Sequence, residues 1–386
     1  MGADPCESTA QIVVKATKYC NLRCSYCYEY EELHDKRRMS SENIGNMYKH
    51  IMGWAIDRNV TRLQFIWHGG EPLLMPLDFY QEAKALQDDA FQDKIAVANT
   101  LQSNLTILTE KHIAFLKQGD FIKDIGVSFD VYGQERIDVG GASRTPAVLR
   151  NMQRLVDNEI SFGAICVLAR GTRPHVRQIY RFFDQLGVSV RFLPFFETGA
   201  AWQEDRHALS NSEIAAALIE VFEEWLTSSV AVPTAPVEHY LEVAINFIAG
   251  KRALRFSRRV HENVFVVNTD GNVWGEPELY ESEFVYGNIF NDDLQRLLRS
   301  PGREKAVAAS ESRQATFCAG CPYFKNCSGY FMASNLAYEV DSSTAYQCVA
   351  RLVVDYIVDW LNRSTMRDEI IAAHANSTIG SGEVNL

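Results

Sequence analysis

The stretch Cys20-Asn21-Leu22-Arg23-Cys24-Ser25-Tyr26-Cys27 places three cysteines within eight residues, in the spacing C-x3-C-x2-C. A short loop of this kind can wrap three thiolates around one corner of a four-iron cluster, because each thiolate ligates one iron. The fourth iron of such a cluster then has no protein ligand. Pure electron-transfer sites normally close all four positions, so this pattern predicts an iron left open for another molecule.

Three other interpretations compete for these cysteines. A zinc knuckle needs a fourth Cys or His close by, and the nearest candidate, His34, lies in a charged run. Disulfides are disfavoured by an odd number of cysteines and by the lack of an export signal. Ordinary buried cysteines are the remaining alternative, since a motif is only a hypothesis until its context agrees.

The context favours the cluster. The loop follows an apolar, β-rich run, Ile12-Val13-Val14-Lys15-Ala16-Thr17, and the aromatic Tyr26 precedes the last cysteine. The motif resembles that of radical S-adenosylmethionine (AdoMet) enzymes. This resemblance implies a [4Fe-4S] cluster on Cys20, Cys24 and Cys27, whose open iron chelates AdoMet, with Tyr26 close to the cofactor. It further implies cleavage of AdoMet to a 5′-deoxyadenosyl radical that removes a hydrogen from the substrate.

Composition limits the alternatives. The chain has 386 residues, 47% hydrophobic and 23% charged, which is an ordinary globular balance. No apolar run approaches the roughly 18 residues of a membrane span, and residues 1–5 lack the features of a signal peptide. The formal net charge of −11 disfavours nucleic acid and anionic membranes as partners. We therefore expect a cytoplasmic protein with no nucleic-acid or membrane partner.

Cysteine usage supports metal binding. In a cytosolic chain, clustered cysteines indicate metal ligands before disulfides. Seven of the nine cysteines fall into two clusters, which leaves Cys6 in the tail and Cys166 as a small core residue.

Strand and helix signals alternate over the first half of the chain. After a first strand that begins by about residue 11, we predict strands over 63–67, 96–104, 125–130, 162–168 and 188–195, with helices over 41–58, 76–91, 109–118, 145–158 and 173–186. Six such units predict an α/β fold, with a parallel sheet and helices outside it. The family resemblance specifies a partial (β/α)6 TIM-type barrel.

A second motif, His68-Gly69-Gly70-Glu71-Pro72, follows the second predicted strand. Two glycines let the backbone approach a ligand closely. Glu71 could instead simply cap the next helix. The motif resembles the GGEP element of the radical AdoMet family, which implies that the backbone of Gly69, Gly70, Glu71 and Pro72 holds the methionyl ammonium of AdoMet.

Polar residues gather where further strands end, which is where parallel sheets place ligands. Gln102-Ser103-Asn104 resembles the polar end of the family's third strand, and Ser128-Phe129-Asp130 its fourth. The resemblance implies that Gln102, Ser103, Asn104, Ser128 and Asp130 reach the ribose or carboxylate of AdoMet, and that Val167 and Leu168 lie near the adenine. Ordinary hydration of strand ends is the alternative. Glu197, just after the sixth strand, could face the substrate or lie in a solvated loop.

The second cysteine set is Cys318-x2-Cys321-x5-Cys327, with Cys348 farther along. Its spacing alone favours zinc, but the upstream motif favours iron and sulfur. A predicted β-hairpin over 264–274 and Gly287-Asn288-Ile289 precede it. Together they resemble the SPASM or twitch-type extension of peptide-modifying radical AdoMet enzymes, a small C-terminal iron–sulfur domain of a β-hairpin plus helices.

The chain departs from that extension in a coherent way. Glu276 and Phe331 stand where the family has cysteines, and residues 255–261 contain none. The ligands lost build the inner auxiliary cluster in the family. The ligands that remain imply one auxiliary [4Fe-4S] cluster, held by Cys318, Cys321, Cys327 and Cys348. This cluster would relay an electron or only stabilise the fold of the domain.

We expect four regions in the chain. Residues 1–200 are the radical AdoMet barrel, 201–260 a helical linker region, 261–350 the SPASM-like domain, and 351–386 a C-terminal helix, predicted over 349–373, with a flexible tail. Five basic residues lie within 251–259. They form either a solvated loop or a binding surface for an acidic peptide segment.

The sequence thus predicts a radical AdoMet peptide maturase that installs a crosslink, of the cyclophane or a similar type, in a ribosomally made precursor peptide. Sulfatase-maturase-type formation of formylglycine and peptide epimerisation are the enzymatic alternatives, and a noncatalytic iron–sulfur or zinc scaffold is the alternative of another class. Expected partners are the precursor peptide, an external electron donor of flavodoxin or ferredoxin type and, as an option, a separate leader-binding protein. Candidates for a catalytic acid or base are Asp130, Glu197, Asp270 and Glu276.

Overall fold

A computed structural model describes residues 9–195, 200–251, 257–275, 281–327, 348–365, 367 and 369–371. Six strands alternate with five helices in the first half of the chain. Their bounds are β1 Thr9–Thr17, α1 Ser41–Asp57, β2 Arg62–Gly69, α2 Leu77–Phe91, β3 Ala96–Ser103, α3 Glu110–Gln118, β4 Ile122–Ser128, α4 Thr145–Asp157, β5 Phe162–Leu168, α5 Val176–Leu186 and β6 Val190–Pro194. This order confirms the predicted α/β fold of six βα-type units.

The rest of the chain is mostly helical. It contains α6 Ala201–His207, α7 Asn211–Thr227, β7 Thr234–Ala235, α8 Val237–Ile248, α9 Arg258–His261, β8 Val264–Val267, β9 Asn272–Gly275, β10 Gly287–Asn288, α10 Leu294–Leu297, α11 Pro301–Arg313 and α12 Val349–Arg363. Strands β8 and β9 confirm the predicted hairpin. No helix in the described ranges is long and apolar enough to cross a bilayer.

The chain packs into two compact units. The first contains the described residues of Met1–Phe129, Gln134–Ala164 and Arg258–Ser310, and the second those of Asp130–Gly133, Ile165–Ser257 and Glu311–Leu386. Packing therefore groups the hairpin with the N-terminal strands. The four regions expected from the sequence remain a prediction about how the chain is organised.

The first unit is built on a sheet of order β10-β9-β8-β1-β2-β3-β4. Strands β8, β1, β2, β3 and β4 are mutually parallel, whereas β9 and β10 are antiparallel to their neighbours. The register around the central strand β1 is illustrated by Val14, which pairs with Trp67 of β2 on one side and with Val267 of β8 on the other. Because parallel strands all end at one edge, the cysteine loop, the Gly-Gly motif and the polar end of β3 leave the sheet together.

Amphipathic helices cover this sheet. The predicted inner face of α1, formed by Ile44, Met47, Ile51 and Ala55, is buried. Ser40 caps α1 by accepting from the Asn43 amide. The indole of Trp67 packs edge-on against Phe79 and Tyr80 of α2, so helix and strand share one aromatic core.

In the second unit, β6 pairs in parallel with β7, and helices α5, α7, α8 and α12 pack together. The ring of Phe222 on α7 meets Tyr356 and Trp360 of α12 edge-on. Helix α12 ends at Arg363, with Ser364 as its cap, and helical conformation is found again at residues 367 and 369–371, so the helical segment predicted over 349–373 is interrupted.

Candidate functional site

The cysteine loop leaves β1 and folds into a small buried cluster. Cys20 and Cys24 are buried together with Leu22 and Leu33, and Cys27 packs against them. The Cys27 amide donates to the Cys24 carbonyl over 2.9 Å, and the Cys20 amide donates to the Leu33 carbonyl over 3.1 Å. These bonds turn the backbone so that the three thiols share one region of the structure.

Neighbouring segments fix the loop from outside. The Arg23 amide donates to the Ile137 carbonyl over 2.8 Å, and the Arg23 guanidinium donates to the Cys20 carbonyl over 2.8 Å. The Asn104 side chain lies 3.6 Å from the Cys20 sulfur and donates to it. The loop conformation is therefore set by contacts with distant parts of the chain as well as by its own turns.

The surroundings of Cys20 and Cys27 disfavour the ionised form of their thiols. Burial and, to a smaller extent, the negative charge of Glu71 raise the pKa of Cys20 to about 12. Burial also raises the pKa of Cys27, with added repulsion from Glu29 and from the other two thiolates. Three thiolates here require a cationic partner, and iron supplies one.

The donor set suits a cluster better than a single ion. Within the described ranges, no group of three or more His, Cys, Asp or Glu side chains is arranged to hold one metal ion. A four-iron cluster places each thiolate on a different iron, so its ligands need not converge on one point. The thiol chemistry and the interaction among Cys20, Cys24 and Cys27 fit the predicted cluster.

The Gly-Gly motif contacts the chain just before the cysteine loop. Gly69 has φ +118°, and a Cβ there would lie 2.2 Å from the Thr17 carbonyl oxygen. A Cβ on Gly70 would lie 2.3 Å from the carbonyl oxygens of Lys18 and Tyr19. The Gly70 amide donates to Thr17 over 2.8 Å. The glycines are thus required by close approach to the protein's own backbone, which the ligand-based reasoning from sequence did not foresee.

The side chain of Glu71 joins two strand ends. Its carboxylate is buried and accepts from the Ser103 hydroxyl over 2.8 Å, the Asn104 amide over 2.7 Å and the Leu73 amide over 2.9 Å. The last bond caps the 3-10 turn Pro72–Leu74, whereas the next helix, α2, begins after Pro76 without a side-chain cap, so Glu71 does not cap that helix. Burial raises the pKa of Glu71, while the three donors lower it.

The polar ends of β3 and β4 also meet. Gln102 donates from its side chain to the Ser128 hydroxyl over 2.7 Å, and both side chains are half-buried. Asn104 donates to the Asn21 side chain over 3.0 Å and so reaches the cysteine loop. The structure therefore brings together Gln102 with Ser128, and Ser103 and Asn104 with Glu71.

Three predicted residues lie in the second unit. The Asp130 carboxylate is buried and accepts from the Val167 amide over 3.0 Å. The Val167 carbonyl accepts from the Thr172 hydroxyl, and the Leu168 carbonyl accepts from the Phe195 amide over 2.9 Å. Asp130 thus holds the backbone of β5, a positioning contact that sequence reasoning did not assign to it.

The other catalytic candidates have different outcomes. Asp270 is exposed at the tip of the β8–β9 turn, and its two carboxylate oxygens accept from the backbone and side-chain nitrogens of Asn272 over 3.0 Å each. Glu197 and Glu276 lie outside the described residues, as does Phe331.

Sequence reasoning missed two buried cations beside the loop. Lys15 of β1 forms an ion pair with Glu29 at 3.1 Å and donates to the Tyr28 hydroxyl over 2.9 Å. Burial lowers the pKa of Lys15, and Glu29 opposes that effect. The buried Arg136 guanidinium lies 5.9 Å from the ring centre of Tyr26. The signal for Lys15 was a single charge inside an apolar run, which is costly unless paired.

The second cysteine set shares one cavity in the second unit. Cys318, Cys321, Cys327 and Cys348 line it together with Tyr323, Phe324 and Arg351. Cys318 ends a π-helical turn, Gln314–Cys318, a feature frequent at functional sites. Burial raises the pKa of Tyr240, and the charges of Cys348 and Cys327 raise it further. The four predicted ligands therefore lie close enough to interact.

Comparisons with known proteins agree with this geometry. Residues 14–183 match the Radical SAM superfamily. The chain is 24% identical to a cysteine-type anaerobic sulfatase-maturating enzyme of Clostridium perfringens, covering 82% of this chain and 87% of that protein. It is also 24% identical to a serine-type anaerobic sulfatase-maturating enzyme of Klebsiella pneumoniae, covering 80% of each.

A solved structure described as native anSMEcpe with bound AdoMet and Cp18Cys peptide superposes with a TM-score of 0.72 at 19% identity, over 96% of this chain and 99% of that one. The overall fold is therefore shared with that protein. The part of the chain that matches the Radical SAM superfamily, residues 14–183, contains both the cysteine loop and the Gly-Gly motif.

Proposed function

We propose that this protein is a radical AdoMet enzyme that removes a hydrogen atom from a side chain of a peptide substrate. The observation that carries the proposal is the connection made by Glu71. Its carboxylate joins the Gly-Gly motif to the polar end of β3, and Asn104 extends that connection to the Cys20 sulfur. Three motifs that are separate in sequence thus form one hydrogen-bonded assembly.

In this proposal Cys20, Cys24 and Cys27 hold a [4Fe-4S] cluster. Cofactor-binding groups come from the backbone of Gly69–Pro72, from Tyr26, and from the polar side chains at the ends of β3 and β4. When bound, the cluster and AdoMet supply a 5′-deoxyadenosyl radical, with an electron from an external donor of flavodoxin or ferredoxin type. The chain's own residues hold the loop and shield the sulfurs from water.

The second cysteine set supports an auxiliary cluster. Cys318, Cys321, Cys327 and Cys348 would close a four-iron cluster completely with thiolates. A closed cluster offers no open iron to the substrate, so its chemistry is limited to electron transfer or to stabilising the second unit. The shared cavity and the interactions among these thiols support this assignment.

The first candidate reaction is oxidation of a peptidyl cysteine or serine to formylglycine. The support is that the relatives above are sulfatase-maturating enzymes of both types. Peptide crosslinking, of the cyclophane type or another, is the second candidate. It is favoured by Glu276 and Phe331, which replace the cysteines that the resemblance leads us to expect.

The test begins with anaerobic purification, cluster reconstitution and reduction with dithionite. We expect about eight irons per chain and 5′-deoxyadenosine formation, as two four-iron clusters require. Cys24→Ala should abolish cleavage of AdoMet, while the control Cys166→Ala, at a buried cysteine outside both sets, should retain it. Iron binding with no AdoMet cleavage would exclude the radical enzyme and leave an iron–sulfur scaffold.

Peptide products then separate the candidate reactions. Matched peptides with Cys, Ser or Ala at one position are incubated with the enzyme and analysed by mass spectrometry and by an aldehyde-reactive hydrazide. Formylglycine reacts with the hydrazide, whereas a crosslink loses two hydrogens without forming an aldehyde. Epimerisation changes neither the mass nor the hydrazide reaction.

A further inference from the structure

A cationic cleft lies at the carboxyl end of β1 in the first unit. Its volume is about 170 Å³, and it is lined by Lys18, Arg37, Arg38, Thr269 and Asp270. This is room for several water molecules, so a small polar group of a ligand fits. The reaction proposed above assigns no role to the three cations.

Both walls of the cleft are held by β1. On one side, β8 pairs in parallel with β1, and the Thr269 hydroxyl donates to the Lys15 carbonyl over 2.7 Å. On the other side, Arg38 forms an antiparallel bridge with Thr17, and the next amide, Met39, donates to the Ala16 carbonyl over 2.9 Å. Since β1 continues directly into the cysteine loop, the cleft is anchored to the same strand as the proposed cluster.

The three cations of the cleft differ in whether they are paired with a carboxylate. Lys18 is buried and paired with Glu32 at 2.5 Å, and Arg37 is paired with Asp35 at 2.6 Å. In the described part of the chain the exposed Arg38 guanidinium forms no ion pair. The one lining carboxylate, Asp270, accepts hydrogen bonds from Asn272, and its negative charge also acts on Arg37. With respect to the described residues, Arg38 is therefore the lining cation whose guanidinium donors are all available, and Arg37 retains donors beyond those used by Asp35.

We propose that this cleft binds one carboxylate side chain, of Asp or Glu, in the peptide substrate. This inference rests on the proposed function for the existence of a peptide substrate. An Arg fork is suited to a carboxylate, which it can bind through two parallel hydrogen bonds. The net charge of −11 repels a strongly acidic peptide at a distance, so a single acidic side chain suits the cleft better than an acidic run.

The basic run 251–259 is a poorer site for that role. Arg258 is 2% exposed, and its guanidinium donates to Glu262 over 2.8 Å and to the Tyr286 hydroxyl over 2.8 Å. Arg259 is paired with Glu304 at 2.8 Å. Residues 252–256 lie outside the described residues. The two arginines of this run that the structure describes are committed to internal ion pairs.

The test uses fluorescent, capped synthetic peptides that carry one Glu at each position in turn, and the same peptides with Gln or Lys at that position. Binding to the reconstituted protein with AdoMet is measured by anisotropy. We expect at least one Glu peptide to bind about tenfold more tightly than its Gln partner, the effect of one charge-assisted hydrogen bond. Added salt should reduce that preference because the site is exposed.

Variants assign the preference to the cleft. Arg38→Ser should abolish it, and Arg38→Glu should replace it with a preference for the Lys peptide. Lys111→Glu, at an exposed position of α3 outside the cleft, makes the same change in net charge and should retain the Glu preference. Iron content and AdoMet binding of each variant establish that it is folded.

Three outcomes overturn the proposal. The first is that Glu and Gln peptides bind equally or that neither binds. The second is a Glu preference that survives Arg38→Glu. The third is that inorganic phosphate displaces the labelled Glu peptide at the same concentration as the unlabelled peptide does. The last would make the cleft a general small-anion site. Formation of 5′-deoxyadenosine by the unmodified protein without peptide tests the proposed function separately, so the two proposals can fail independently.

Discussion

Gly70 lies where the Gly-Gly motif meets the residues that enter the cysteine loop. The carbonyl oxygens of Lys18 and Tyr19 occupy the space that a Cβ would need, and these are backbone atoms that cannot rotate away. The amide of Glu71 donates to the Tyr19 carbonyl over 2.9 Å, which fixes the distance between the two segments. A side chain at position 70 must therefore displace the chain immediately before Cys20.

We expect Gly70→Ala to reduce stability by about 1–3 kcal/mol through overpacking. We also expect it to lower the iron content from about eight to about four per chain, because the cysteine loop shifts. The measurements are denaturant unfolding and iron analysis after anaerobic reconstitution.

Gly53 provides the matched control. It lies within helix α1, and a Cβ there meets nothing within 4 Å. Gly53→Ala should therefore raise stability by roughly 0.5–1 kcal/mol and leave the iron content unchanged. A full iron content in Gly70→Ala would show that the contact does not control the loop.

At this scale the sequence predicted residue types better than their partners. The cysteines, the glycines and Glu71 were selected from their motifs. The contacts of Glu71 with Ser103 and of Arg136 with Tyr26 join segments far apart in the chain, and that of Lys15 with Glu29 spans the cysteine loop. Such contacts depend on the tertiary register, which no local pattern specifies.

Among the elements, α3 has a pH-sensitive start. The Thr109 hydroxyl accepts from the His112 amide, and the Thr109 amide donates to Nδ1 of the His112 ring, each over 3.2 Å. This is a capping box with His in place of the usual Glu or Gln. Because Nδ1 is the acceptor, only a ring without a proton on that nitrogen can complete the box.

Burial lowers the pKa of His112 below its ordinary value of 6.5. Just below that pH the unfolded chain binds more protons at this residue than the folded chain does, so stability must fall as the pH falls. We expect a loss of about 1 kcal/mol between pH 7 and pH 5, the usual value of a helix cap. Urea unfolding across that pH range measures it.

His112→Gln keeps the acceptor but does not titrate. It should remove this part of the pH dependence while preserving stability at pH 7. Thr109→Ala should lose the cap at every pH. An unchanged pH profile in His112→Gln would assign the effect to other residues.

The elements themselves were predicted well where local signals mark their ends. The start of α7 is one such case, since Ser210 and Glu213 form a capping box whose S-x-x-E spacing is visible in the sequence. The end of α12 was missed, because apolar spacing continues past Arg363 while the helix does not. Periodicity reports which face is buried, and termination depends on caps.

For the molecule as a whole, the iron content tests the proposed auxiliary cluster at the second cysteine set. We expect Cys348→Ser to reduce iron from about eight to about four per chain, since a closed four-iron cluster needs each of its thiolates. Formation of 5′-deoxyadenosine without peptide should continue, because the first cysteine set is intact.

Cys166→Ser is the control, since this buried cysteine belongs to neither set. Zinc bound at Cys318, Cys321, Cys327 and Cys348 with iron remaining at about four in the unmodified protein would contradict the auxiliary cluster. The spacing of these cysteines was enough to predict that they share a site. It could not distinguish the metals, because C-x2-C pairs serve both.

The pairing of β1 with β8 has a consequence for synthesis of the chain. The first strand runs over Thr9–Thr17, but its neighbour on one side is Val264–Val267. At about 5–20 residues per second, the ribosome needs roughly ten to fifty seconds to make the intervening segment. Throughout that time the apolar β1 has an open edge, the kind of surface on which chains aggregate. We therefore expect β1 to be an aggregation-prone edge of the nascent chain until β8 has been made.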